Sequence, residues 1–129
     1  MSVSQIIAEI NGAIGAHGAW KLRLDRAIST GRFDATAEHV ACDDQCKFGK
    51  WIHGPSLSSD VREGLPYKVI RRLHADFHQC ASRVVALATN DKGDEARVLL
   101  DGEYEQQSGK LMRALAKWKD ELGQSPAQG

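Results

Sequence analysis

Apolar residues in this chain recur every three or four positions over three long stretches and nowhere alternate with period two over a useful length. A period near 3.6 places such residues on one face of a helix, whereas a half-buried strand needs strict alternation. The first stretch runs from about Ser4 to Ile28, with Ile6, Ile10, Ala13, Ile14, Trp20, Leu24, Ala27 and Ile28 along its stripe. The second runs from about Pro66 to Ala88 through Ile70, Leu73, Phe77, Ala81, Val84, Val85 and Ala88. The last runs from about Asp94 to Leu122 through Ala96, Leu100, Tyr104, Gln107, Leu111, Leu115, Trp118 and Leu122. The three prolines, Pro55, Pro66 and Pro126, all lie outside the interiors of these stretches. Between the first two stretches, Asp34 to Ser59 has weaker periodicity, with short helices predicted around Ala35–Cys42 and Gln45–His53. The pattern predicts an all-α protein, a four-helix bundle with an interrupted, short-helix segment in the middle of the chain. Gly12, Gly15 and Gly18 each cost the first helix about 1 kcal/mol relative to alanine, a cost tolerable if that helix packs tightly against its neighbours.

With 129 residues the chain is sized for one domain with a real core. The organisation predicted is a helical bundle over residues 1–122 and a polar tail over 123–129, with Gly123 as the helix C-cap. Lys+Arg and Asp+Glu both number 17, so no basic stripe offers the electrostatic footprint of a nucleic-acid partner. The longest apolar runs fall far short of the roughly 20 residues of a membrane helix, so no membrane insertion is expected. The N-terminus has no basic region and no cleavage site following an apolar block, and three irregularly spaced cysteines do not read as a disulfide framework. Together these features predict a cytoplasmic protein.

Polar residues on the apolar faces carry the chemical information. His74 and His78, four apart, interrupt the second long stripe, and His17 stands where the first stripe calls for an apolar residue. An imidazole buried without partners costs roughly 1–3 kcal/mol, so each of these must be satisfied. A single histidine on an apolar face is more often a hydrogen-bonded core residue than a ligand, and a single cysteine such as Cys46 is more often a buried small hydrophobe. Taken jointly, three inward histidines and one cysteine make four N/S donors, the tetrahedral set that zinc favours. Di-iron carboxylate chemistry would require Glu-x-x-His motifs, and none occurs. A catalytic zinc with an open position, a haem or other metal held by His and Cys, and a helical interaction domain with satisfied core histidines remain as alternatives. Asp76 lies between the two histidines but should project away from the site, unlike the base of an H-E-x-x-H motif. His39 and His53 fall off the inward positions and read as surface residues, and Cys80 reads as a plain buried or half-buried thiol.

At these residues the chain resembles the chemoreceptor zinc-binding domain family. The resemblance rests on His17 with Trp20 three residues on, on Cys46-x-x-Gly49-x-Trp51, and on His74 and His78, in that order. It is expected to extend from His17 through the fourth helix. It implies a helical bundle holding one zinc through His17, Cys46, His74 and His78, with Trp20, Gly49 and Trp51 packing around the motif. It also implies a regulatory rather than enzymatic role, a homodimer, and a signalling partner of the chemoreceptor or diguanylate cyclase type. No methyl-accepting helix or cyclase domain is recognisable in the sequence, so a stand-alone or excised sensor is expected. The input is expected to be zinc, a thiol oxidant acting at Cys46, or both, with Cys42 a candidate resolving thiol.

Overall fold

The structure, a computed structural model, describes residues 2–124. Among these the chain is all-α, with no strand. Helix α1 (Val3–Thr30) begins at a capping box. There the Ser2 hydroxyl accepts from the Gln5 amide at 3.2 Å, and the Gln5 side chain accepts from the Ser2 amide at 2.7 Å. It ends at Gly31, whose φ of 72° is the left-handed conformation that glycine adopts without penalty. Short helices α2 (Ala37–Ala41), α3 (Lys47–His53) and α4 (Ser59–Glu63) follow, capped by Thr36, Cys46 and Ser58. The long helix α5 (Leu65–Ala88) starts with proline in its first turn, where the missing N–H costs nothing. Helix α6 (Gly93–Leu99), a π-helical turn (Leu100–Tyr104) and α7 (Glu105–Gln124) complete the described chain.

Two of these elements depart from the expectation. The last helix was expected to run unbroken, but it contains a π turn. Ala96, Leu100 and Tyr104 are spaced four and four, which in a regular α-helix rotates the third residue away from the first. One wider turn restores the register, and all three are fully buried. Gly123 does not cap the helix: α7 continues through Gln124, and residues 125–129 of the expected tail lie outside the described residues. Helix α4 was not anticipated, because its five residues are too few to display a period.

The core is formed where α1, α5 and α6–α7 bring their stripes together: Ile10 and Leu24 from α1, Ile70, Phe77, Ala81 and Val84 from α5, Leu100, Leu111 and Leu115 from the last stretch. The interrupted middle segment fills the remaining side. Val40 of α2 and Phe48 and Ile52 of α3 are buried, and the Tyr67 hydroxyl donates to the Ile52 carbonyl at 2.8 Å. Helix α2 lies along α5, which reaches it with side-chain donors: the Ser82 hydroxyl bonds the Ala37 carbonyl at 2.7 Å, and the Gln79 amide bonds that of Ala41 at 3.5 Å.

Candidate metal centre

Three elements converge on one buried point. Helix α1 supplies His17, α5 supplies His74 and His78 one turn apart, and Cys46 stands at the N-cap of α3. The three histidines are buried within the apolar core and Cys46 is half-buried. Each residue brings one donor atom, and the four atoms lie within 4.8 Å of one another. Cys46 Sγ is 3.3 Å from His74 Nε2 and 3.5 Å from His78 Nε2, and the two Nε2 atoms are 3.1 Å apart. A tetrahedral zinc with ordinary Zn–N and Zn–S bonds would have N···N edges of about 3.3 Å and N···S edges of about 3.5 Å. The separations among Cys46, His74 and His78 therefore suit a single ion of that size, and His17 lies within 4.8 Å of them as the fourth donor.

The hydrogen bonds around the cluster orient the donors. His17 Nδ1 lies 2.8 Å from the Ala13 carbonyl and His78 Nδ1 lies 3.0 Å from the Val40 carbonyl. A carbonyl only accepts, so each Nδ1 carries the proton and each Nε2 presents a lone pair. Such N–H tethers are how proteins aim metal-binding imidazoles. His17 Nε2 is buried with no partner among the described residues, an arrangement that costs energy unless something binds that lone pair. His74 has no carbonyl tether, and its Nδ1 is likewise buried without a partner among the described residues.

Cys46 is set by backbone geometry. Its Sγ accepts from the Gly49 amide at 3.2 Å as the N-cap of α3. Gly49 sits against the preceding loop so closely that a Cβ there would fall 1.9 Å from the Asp43 carbonyl oxygen. The glycine of Cys-x-x-Gly thus permits a close backbone approach that folds the Cys46 loop onto its own helix. His53, expected at the surface, is only half-exposed and contacts the same loop, with its Nε2 3.3 Å from Asp43 Oδ2. His39 is exposed, as expected, and Asp76 is not among the clustered donors.

Burial dominates the electrostatics. Desolvation lowers the pKa of His17 to about 4, only partly opposed by the Ala13 hydrogen bond. His74 is lowered further by burial and by its neighbours His78 and His17, and His78 is lowered mainly by burial. All three imidazoles are thus held neutral, the form that binds metal. Burial raises the Cys46 thiol, opposed by the Gly49 amide, so a thiolate at this place calls for a nearby cation.

Aromatic rings wall the cluster. Phe48 and Phe77 stand edge-on to His17 at 5.9 and 4.9 Å between centroids, and Trp20 lies 5.9 Å from His78. Trp51 packs away from the cluster, against Phe48 at 5.6 Å and Trp118 of α7 at 6.3 Å. Cys42 is exposed at the C-cap of α2, its thiol donating to the Glu38 carbonyl at 3.4 Å. Cys42 and Cys46 line the same cavity of about 220 Å³, which also reaches His78. Cys80 is buried and not among the clustered donors, beside Glu103 at 3.6 Å, and burial followed by that carboxylate raises its thiol to about 12.

The two carbonyls that tether His17 and His78 could not be found from sequence, because every residue has one. The His53–Asp43 contact joins a residue read as surface-facing to one in the loop ahead of its helix, and no helical spacing relates the two.

The sequence model of the chemoreceptor zinc-binding domain matches residues 17–85. That span opens on His17, contains the other three donors, and stops before α6, shorter than the expected reach through the fourth helix. No curated protein and no solved structure matches the chain. Since the matched span is more than half of the 129 residues and encloses the whole His/Cys cluster, the chain belongs to the chemoreceptor zinc-binding domain family.

Proposed function

We propose that this protein is a zinc-dependent regulatory module in which His17, Cys46, His74 and His78 hold one zinc ion and the Cys46 loop reports its occupancy. The observation that carries this reading is the convergence of four donors from three separate elements within 4.8 Å. Zinc, when bound, supplies a positive charge and a cross-link between chain segments. The residues do the rest: Ala13 and Val40 aim two imidazoles, and Gly49 lets the Cys46 arm close on the long helices. Four protein donors leave no open position for an activated water, which disfavours the hydrolase alternative. The Cys46, His74 and His78 donors, 3.1 to 3.5 Å apart, leave no room for a macrocycle between them, which disfavours haem. Elemental analysis of protein purified without chelators should give one zinc per chain, and Cys46→Ala should lower retention sharply. Metal-free wild type at neutral pH would refute the reading.

A second input is favoured by the cavity that Cys42 and Cys46 share. A peroxide is the oxidant: the Cys46 thiolate attacks one peroxide oxygen, the O–O bond breaks, and water leaves after protonation. The sulfenic acid then condenses with the Cys42 thiol, releasing a second water and leaving a disulfide. Peptide mapping after peroxide treatment should find the Cys42–Cys46 disulfide together with released zinc. Zinc release at the same rate with no such peptide would remove Cys42 from the scheme.

The signal is read out by a cytoplasmic signalling partner of the chemoreceptor or diguanylate cyclase class, and the module works as a homodimer. Exposed Leu65 and Val69, one turn apart on α5, support an associating surface. No described helix is long and apolar enough to cross a membrane. Light scattering that returned a strict monomer would refute the dimer.

A further inference from the structure

The last two turns of α1 carry Arg23 and Arg26 on one face, and the left-handed Gly31 turns the chain so that Arg32, Phe33 and Asp34 fold back beside it. Between them opens a cavity of about 820 Å³ lined by Arg23, Arg26, Thr30, Arg32, Phe33 and Asp34. Three guanidiniums and one carboxylate line it. Asp34 is engaged by Arg23 at 3.0 Å, and the Arg23 guanidinium is stacked over Trp20 at 4.3 Å and Phe33 at 4.8 Å. Among the described residues, the side chains of Arg26 and Arg32 make no hydrogen bond or ion pair.

Basic side chains near a helix C-terminus ordinarily bond its last carbonyls. Here Arg26 and Arg32 bond none of them: the Thr30 hydroxyl takes the Arg26 carbonyl at 2.9 Å and the Gly31 amide takes that of Ala27 at 2.8 Å. Two positive charges with no acidic partner thus line one concavity in a chain of zero net charge.

We propose that this cavity binds a phosphate group, with Arg26 and Arg32 donating to its oxygens and Arg23 contributing the third cation. A phosphate dianion matches the surplus charge, and the planar guanidinium fork suits tetrahedral oxyanions better than a point charge does. Phe33 gives an apolar edge for the organic remainder of a phosphate monoester. Trp20 stands between this cavity and the metal centre, touching Arg23 on one side and 5.9 Å from the His78 ring on the other.

Calorimetric titration of the full chain with pyrophosphate at fixed ionic strength, in zinc-loaded and metal-free forms, tests the assignment independently of the metal reading. The expected result is saturable binding at one site with a Kd below about 1 mM. Replacing both Arg26 and Arg32 with alanine should weaken binding at least about tenfold, while Lys110→Ala, an exposed cation elsewhere, should not change it. Asp34→Asn, which frees Arg23, should tighten binding several-fold, a gain that misfolding cannot imitate. Sedimentation with vesicles containing phosphatidate forms the second arm: saturation only there assigns the phosphate to a lipid headgroup, and saturation in solution assigns it to a soluble compound. No saturation in either arm, or equal binding by the double variant, would overturn the proposal. An affinity that Asp34→Asn left unchanged would remove Arg23 from it.

Discussion

Glycines in this chain serve opposite purposes, and substitution separates them. A Cβ at Gly49 would collide with the Asp43 backbone, whereas a Cβ at Gly12, Gly15 or Gly18 would meet nothing within 4 Å. Gly49→Ala is therefore expected to destabilise the protein by roughly 1–3 kcal/mol and to weaken zinc binding with it. Alanine at Gly12, Gly15 or Gly18 is expected to stabilise it by about 0.5–1 kcal/mol each. Urea denaturation of the four single variants checks both signs. The open space also corrects the idea that tight packing offsets the helix cost of these three glycines. His17 gives a pH dependence at the same scale. Its folded pKa of about 4 lies below its ordinary value of 6.5, so the unfolded chain takes up the proton first as pH falls. The associated stability is fully present above about pH 6.5 and is lost between there and pH 4, on the order of 3 kcal/mol for this residue. His74 and His78 shift in the same direction and steepen the loss. Urea midpoints of metal-free protein across that range should fall steadily; a flat profile would contradict the burial of neutral imidazoles. The donor histidines were legible in sequence because an imidazole in an apolar stripe is conspicuous. The carbonyls of Ala13 and Val40 were not, because their contribution carries no side-chain signature.

Among the elements, the middle segment combines firm packing with a hinge-like loop. Phe48 and Ile52 anchor α3 in the core, and α5 side chains hold α2 by its carbonyls. Between these anchors, residues 42–46 are held mainly by the Gly49–Asp43 approach, the His53–Asp43 contact and the Cys46 sulfur. Removing zinc is expected to raise amide exchange at residues 42–46 by about tenfold or more, while the α5 core around Phe77 and Ala81 keeps its protection. Hydrogen-exchange mass spectrometry with and without a chelator reads this, and equal protection in both states would argue against a sensor role for the loop. The weak periodicity of this segment reflects short helices that each bury at most two side chains, too few to show a repeat. The π turn is different: its signal, the four-and-four spacing of Ala96, Leu100 and Tyr104, was present in the sequence, but a single helical period conceals it.

Over the whole chain, sequence periodicity was enough for an all-α bundle, because each long stripe had to find an apolar partner and only helices fit the spacing. It could not give the relative placement of the helices, yet the ordered motif around His17, Cys46, His74 and His78 implied a common point for three of them. That implication is the one on which the functional reading depends: one zinc held at that point by three imidazoles and a thiolate. X-ray absorption at the zinc edge of the loaded protein tests it by identifying the bonded atoms themselves. The expected spectrum fits three nitrogen neighbours at about 2.0–2.1 Å and one sulfur at about 2.3 Å, with the sulfur shell lost in Cys46→Ala. A wild-type spectrum with no sulfur neighbour, or with the outer-shell scattering of fewer than three imidazoles, would contradict it.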